Sequence, residues 1–235
     1  METEIMKLPI VFLPGLMCDS RLFQPQVNML SRERVIILAP VSGYNNVKDI
    51  ASALLESLPK QFELVGLSFG GIVAMEMIRL SPERIIRMTL LDTSYLSEPP
   101  HISEKRKMQI HAVTKGQLNQ VMMEEHIPYY LSDGSSSGPI SDLCLKMAQK
   151  MGEDVFVTQS RALISRIDQT ETLRGIKIPT MIICGENDLL CPVKTHRDMA
   201  NLIKGSILMI IPKTGHLPTL ENPKTTNRIL KEWLN

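Results

Sequence analysis

Apolar and polar positions alternate along this chain in two rhythms. Short, nearly continuous apolar runs predict buried strands at residues 8–13 (LPIVFL), 34–39 (RVIILA), 62–67 (FELVGL), 85–91 (IIRMTLL), 180–184 (TMIIC) and 206–211 (SILMII). Between them apolar residues recur every three or four positions, which predicts helices over 22–30, 47–58, 69–80, 192–203 and 222–234. Proline marks the joints. Pro14-Gly15 closes the first strand and Ser81-Pro82 stops the third helix, while Pro192 and Pro223 sit in first turns, the latter after Asn222 as a cap. Such alternation predicts an α/β fold with a mostly parallel, doubly wound sheet.

From residue 95 to about 165 the rhythm changes. Polar and charged residues dominate, apolar ones keep helical spacing, and the breaker SDGSSSG interrupts the run at 132–138. This segment is expected to be a helical insertion of about 70 residues, leaving 1–94 and 166–235 as the core. No internal repeat is present.

Composition narrows the function. At 235 residues and 43% hydrophobic content, the chain suits one domain, or a core with a modest insertion, around a sizeable core. A net charge of +1 argues against nucleic-acid or membrane-surface binding driven by bulk electrostatics. No apolar run approaches the roughly 18 residues that a membrane helix needs. The opening METEIMKLPI lacks the basic-then-apolar order of a signal peptide. Cys18, Cys144, Cys184 and Cys191 form no CxxC pair or zinc-ligand spacing, so free thiols in a reducing, cytoplasmic setting are expected. The 15 methionines are read first as core packing.

The chemistry centres on GLSFG, residues 66–70, which matches G-x-S-x-G. A chain of this length meets that pattern by chance in roughly one case in twelve. Its setting is more specific, because an apolar strand precedes it and a helix pattern follows directly. Ser68 at such a turn would project above the sheet, with Gly66 and Gly70 required where a side chain would strike neighbouring backbone. The helix N-terminus would then face a developing oxyanion.

A serine hydroxyl needs a base to take its proton. Of the five histidines, His101, His111, His126 and His196 fall in the insertion or in helix patterns. His216 lies in PKTGHLPTLENP, the loop after the last strand, where parallel sheets place their chemistry. For the orienting acid, Asp188 in CGEND is the first choice, with Asp92 and Glu186 as rivals. The N–H groups of Phe69 and Leu16 are the candidate oxyanion donors. Met108, Met122, Met123, Ile127, Tyr129 and Tyr130 are candidates to line an acyl pocket, with Met122, Met123 and Tyr129 chosen as substrate contacts. The alternative is that they form the inner face of helices packed on the core.

LPGLMCDSRLFQPQ, GLSFGGIVAMEM, GENDLLCP and TGHLPTLENP, in that order, resemble the α/β-hydrolase superfamily over essentially the whole chain, and most closely its small bacterial carboxylesterase-like members. The resemblance implies a central sheet flanked by helices, with residues 95–165 folded as a lid over Ser68. Two departures stand out. With about seven residues before the first strand, the N-terminal β-hairpin common in the family is expected to be missing, and Pro14-Gly15 stands where many members have His-Gly. The expected activity is hydrolysis of an ester or thioester with a small to medium acyl group, requiring no metal or organic cofactor. A carbon–carbon bond hydrolase or acyltransferase would use the same triad, and a non-catalytic binding member is a third alternative. Lys105, Arg106, Lys107, Lys115, Lys146, Lys150, Arg161 and Arg166 make the insertion basic. They are read as a solvated face or as contacts to an acidic partner, such as an acyl carrier protein or a carboxylate-bearing substrate.

Overall fold

The computed structural model describes residues 7–234. The expectation that the N-terminal hairpin is missing, and most of the opening read against a signal peptide, fall on residues 1–6, which lie outside the described residues. Six strands, β1 (Ile10–Leu13), β2 (Ile36–Leu38), β3 (Phe62–Leu67), β4 (Ile85–Leu91), β5 (Thr180–Gly185) and β6 (Ile207–Ile211), form one sheet in the order β2-β1-β3-β4-β5-β6. Every neighbouring pair is parallel. The four central strands carry the apolar runs and are almost wholly buried, whereas the edges β2 and β6 are partly exposed. Strands covered by helices on both faces have no wet side, so period-2 alternation is lost.

The helices of the core are α1 (Gln24–Leu30), α2 (Val47–Ser57) and α3 (Phe69–Leu80). Residues 22–30, expected as one helix, divide into a 3-10 turn at Ser20–Phe23 and α1, because Pro25 occupies the first turn of α1. Between β4 and β5 lie α4 (Pro100–Val113), α5 (Leu118–Glu125), α6 (Pro139–Met151), α7 (Glu153–Ile164) and the short α8 (Thr170–Gly175). The chain closes with α9 (Val193–Leu202), α10 (Pro218–Glu221) and α11 (Pro223–Leu234). Helices α8 and α10 span only 6 and 4 residues, too short to show a period in sequence. Trp233 ties α11 to the sheet through an indole N–H donated to Thr89 Oγ1 at 2.9 Å. Among the described residues no helix is long and apolar enough to cross a membrane.

The strand order decides where a site can form. From β1 the chain moves outward to β2, then returns past β1 to β3. The loops leaving the carboxyl ends of β1 and β3 therefore part in opposite directions and open a crevice. Leu16 follows β1 and Ser68 follows β3, one on each side of that crevice.

Candidate active site

Ser68 occupies the turn between β3 and α3 with φ 54 and ψ −116, left-handed backbone that a serine adopts only when its surroundings impose it. The surroundings do so. Its N–H donates to the Leu91 carbonyl at 2.9 Å, and its carbonyl accepts from Gly71 N, Ile72 N and Thr93 Oγ1. A Cβ on Gly66 would lie 2.5 Å from the Gly70 carbonyl oxygen, and one on Gly70 would lie 2.0 Å from that of Leu13. Two glycines are thus needed for three backbones to meet at the turn.

His216 is held from two sides in the loop after β6. Its N–H donates to the Tyr130 carbonyl at 2.8 Å, and Gly215 N donates to Glu221 Oε2 at 2.8 Å. Glu221 Oε1 meanwhile accepts from Ser132 N at 3.0 Å, so one carboxylate joins the histidine loop to the segment between β4 and β5. The ring of His216 reaches Ser68 Oγ through Nε2 at 2.9 Å and Asp188 Oδ2 through Nδ1 at 2.9 Å. Asp188 in turn accepts Leu190 N (2.8 Å) and Cys191 N (3.0 Å) on Oδ1, which leaves Oδ2 directed at the imidazole. Burial alone would raise its pKa, but the His216 charge and these hydrogen bonds outweigh that and hold the carboxyl below its ordinary value.

The rival acids are placed elsewhere. Glu186 is exposed and accepts from Lys213 N at 3.1 Å. Asp92 is wholly buried after β4, where Oδ1 accepts Gly185 N at 2.8 Å and Oδ2 has no hydrogen-bond partner among the described residues. Burial, then the nearby Asp188 charge, pushes Asp92 well above the ordinary carboxylate range. Of the other histidines, His101 and His111 are exposed, while His126 and His196 are buried. His196 Nε2 accepts Thr93 N at 3.1 Å.

Leu16 and Phe69 line the same cavity as Ser68, and neither backbone N–H has an acceptor among the described residues. The Leu16 turn is braced from the inserted helices: Met17, at φ 52, donates its N–H to Gln159 Oε1 at 2.9 Å. A cavity of about 530 Å³ opens over these groups, lined by Leu16, Ser68, Phe69 and His216 and by residues of the β4–β5 segment. Tyr129 and Tyr130 line it. Met122 and Met123 do not: the first is buried in the hydrophobic core, and the second packs against that core. An apolar side chain on a helix satisfies core and pocket alike, so its type alone did not distinguish the two. No local sequence signal marks Gln159, Glu221 or Gly185, although a Cβ on Gly185 would lie 2.0 Å from the Gly215 carbonyl oxygen.

Asp188, Cys191 and His216 bring ligand-type atoms within 4.8 Å of one another. They suit a metal poorly, because Asp188 and His216 already bond each other, and burial with the Asp188 charge pushes the Cys191 thiol well above its ordinary value. The model of the alpha/beta hydrolase family matches residues 10–229. The chain belongs to that family. This alpha/beta hydrolase is similar to the pimeloyl-[acyl-carrier protein] methyl ester esterase of Aliivibrio fischeri, at 20% identity over 251 residues, covering 100% of this chain and 96% of the relative. It is 22% identical over 251 residues to the biotin biosynthesis bifunctional protein BioHC of Teredinibacter turnerae, covering 96% of this chain but only 44% of that protein's length. Among solved structures, a thermophilic esterase from Thermogutta terrifontis superposes with a TM-score of 0.89 at 24% identity, covering 97% of this chain and 90% of the other. That likeness shows the fold.

Proposed function

We propose that this alpha/beta hydrolase is a serine esterase that cleaves a carboxylic ester or thioester of a small to medium acyl group through Ser68, His216 and Asp188. The observation that carries it is the unbroken line from Ser68 Oγ through the two ring nitrogens of His216 to Asp188 Oδ2, each step 2.9 Å, at the wall of a cavity. Family membership and relatives named as esterases support ester bonds as the substrate class.

Ser68 Oγ attacks the carbonyl carbon while His216 Nε2 takes its proton. The carbonyl oxygen becomes an oxyanion that the Leu16 and Phe69 N–H groups bind. His216 passes the proton to the leaving alcohol or thiol as that bond breaks, giving an acyl-serine. Water then loses a proton to His216, attacks the acyl carbon, and releases the acid with Ser68 restored. Asp188 keeps Nδ1 protonated throughout and offsets the imidazolium charge. The α4–α7 segment acts as a lid that roofs part of the cavity over Ser68. An acyl carrier protein as the delivering partner is consistent with the relative named for one, and a cytoplasmic location with the free thiols.

A fluorophosphonate probe should label the wild-type chain and not Ser68→Ala, and the variant should lose about 10⁴-fold or more in kcat on a p-nitrophenyl ester. Wild-type turnover by Ser68→Ala would refute the assignment.

A further inference from the structure

The cavity over Ser68 is not uniformly apolar. Glu98, in the loop leading into α4, has a carboxylate with only 1% of its side chain exposed. Two guanidinium groups meet it. Arg106 Nε, from α4, pairs with one oxygen, and Arg166 Nη2, just beyond α7, pairs with the other at 2.8 Å. All three side chains line the cavity that holds Ser68. The arginine side chains keep 15% and 12% exposure.

One carboxylate compensates one guanidinium, so this cluster holds an uncompensated positive charge in a largely buried place. The next ion pair along the wall, Lys105 with Glu125 at 3.5 Å, is balanced and adds nothing. An unpaired buried cation is costly, and a purely structural contact to Glu98 would need only one arginine. The hydrogen-bonding inventory agrees. Arg166 Nε donates to the Leu96 carbonyl at 3.0 Å, but Arg166 Nη1 and both Nη atoms of Arg106 have no acceptor among the described residues. These N–H groups remain accessible, on side chains that face the cavity. His126, on the same wall, has a buried Nε2 that is also without a partner.

Two convergent guanidinium forks with spare donors match a planar anion that accepts two hydrogen bonds. We propose that Arg106 and Arg166 form a carboxylate subsite in the cavity that holds Ser68, so that the preferred substrates are half-esters or half-thioesters of dicarboxylic acids. The free carboxylate supplies the charge that Glu98 leaves uncompensated, and it fixes which end of the substrate presents its ester to Ser68. Arg106 and Arg166 then set specificity and take no part in bond making. This separates them from Lys107, Lys115, Lys146, Lys150 and Arg161, which are exposed. The proposal rests on the esterase function above.

The test compares mono-p-nitrophenyl esters of dicarboxylic acids with p-nitrophenyl alkanoates of equal chain length. For at least one chain length, kcat/KM for the half-ester should exceed that for its neutral counterpart by about tenfold or more, the size of one hydrogen bond to a charged group. Arg106→Gln should bring that ratio close to one, and Arg106→Lys should retain part of it. The ratio cancels any general loss from misfolding. As a readout independent of turnover, free dicarboxylates should raise the melting temperature of wild type and of Ser68→Ala, but not of Arg106→Gln. Neutral esters cleaved as fast as half-esters, or a ratio unaltered in Arg106→Gln, would overturn the subsite while leaving the esterase intact. If no ester is cleaved the function fails instead, and the melting shift still decides the subsite.

Discussion

Gln159 of α7 holds the backbone of Met17, more than a hundred residues away, by accepting its N–H at 2.9 Å, while its own amide donates to the Val41 carbonyl at 2.7 Å. The side chain is wholly buried, so these bonds have no water to replace them. Met17 adjoins Leu16, the proposed oxyanion donor. Gln159→Leu should therefore lower kcat by about 10- to 100-fold with little change in KM, because the donor drifts while the cavity keeps its shape. Steady-state kinetics on a p-nitrophenyl ester separate the two, and an equal rise in KM with constant kcat would contradict it.

Burial, then the Asp188 charge, raises the pKa of Asp92 well above its unfolded value near 4. Its folded pKa is raised, so the folded state binds more protons, and its contribution to stability is present at low pH and lost as pH rises. Asp92→Asn keeps an acceptor for Gly185 N and abolishes that loss. The variant should melt higher than wild type at pH 7–8, with the gap closing toward pH 4. Melting temperatures across that range check the sign.

His126 works in the opposite direction. Burial, aided by Arg106 and Lys105, pushes its pKa from 6.5 down to about 3. The folded state then binds fewer protons than the unfolded one. Its contribution is complete above pH 6.5 and is lost as pH falls toward the folded value, by up to roughly 1.4 kcal/mol per pH unit. His126→Gln should flatten the decline of the urea midpoint between pH 7 and pH 5.

Gly70 and Gly175 make a matched pair. A Cβ at Gly70 meets the Leu13 carbonyl oxygen at 2.0 Å, whereas one at Gly175 meets nothing within 4 Å. Gly70→Ala should unfold the chain or cost several kcal/mol, roughly the upper range for single substitutions. Gly175→Ala should be neutral or stabilising by up to about 1 kcal/mol. Urea titrations of both variants test the contrast.

What could be read from the sequence follows from how local its causes are. The bounds of β3, α3 and β4 were legible to the residue, since a continuous apolar run and a flanking glycine or proline lie within the same dozen positions. Ser68, His216 and Asp188 stood out for a similar reason: each sits in a short loop directly after a strand. Bracing was not legible. Gln159 serves a backbone N–H 142 positions away, and Glu221 ties Ser132 to Gly215 across 89 and 6 positions. Nothing beside either residue announces its partner. Arg106 and Arg166 looked like members of a solvated basic face because their shared anion, Glu98, lies outside any helix pattern.

The attachment of Tyr130 and Ser132 to the histidine loop constrains how this scaffold can be re-engineered. Exchanging α4–α7 for the same stretch of another hydrolase, to change what the cavity accepts, would remove the carbonyl that holds the N–H of His216 and leave half of Glu221 idle. A working chimera has to retain residues 130–132 of the host, or import the donor's own His loop with its helices. In the mechanism proposed above, selectivity and turnover are mechanically joined, and neither can be transplanted without the other.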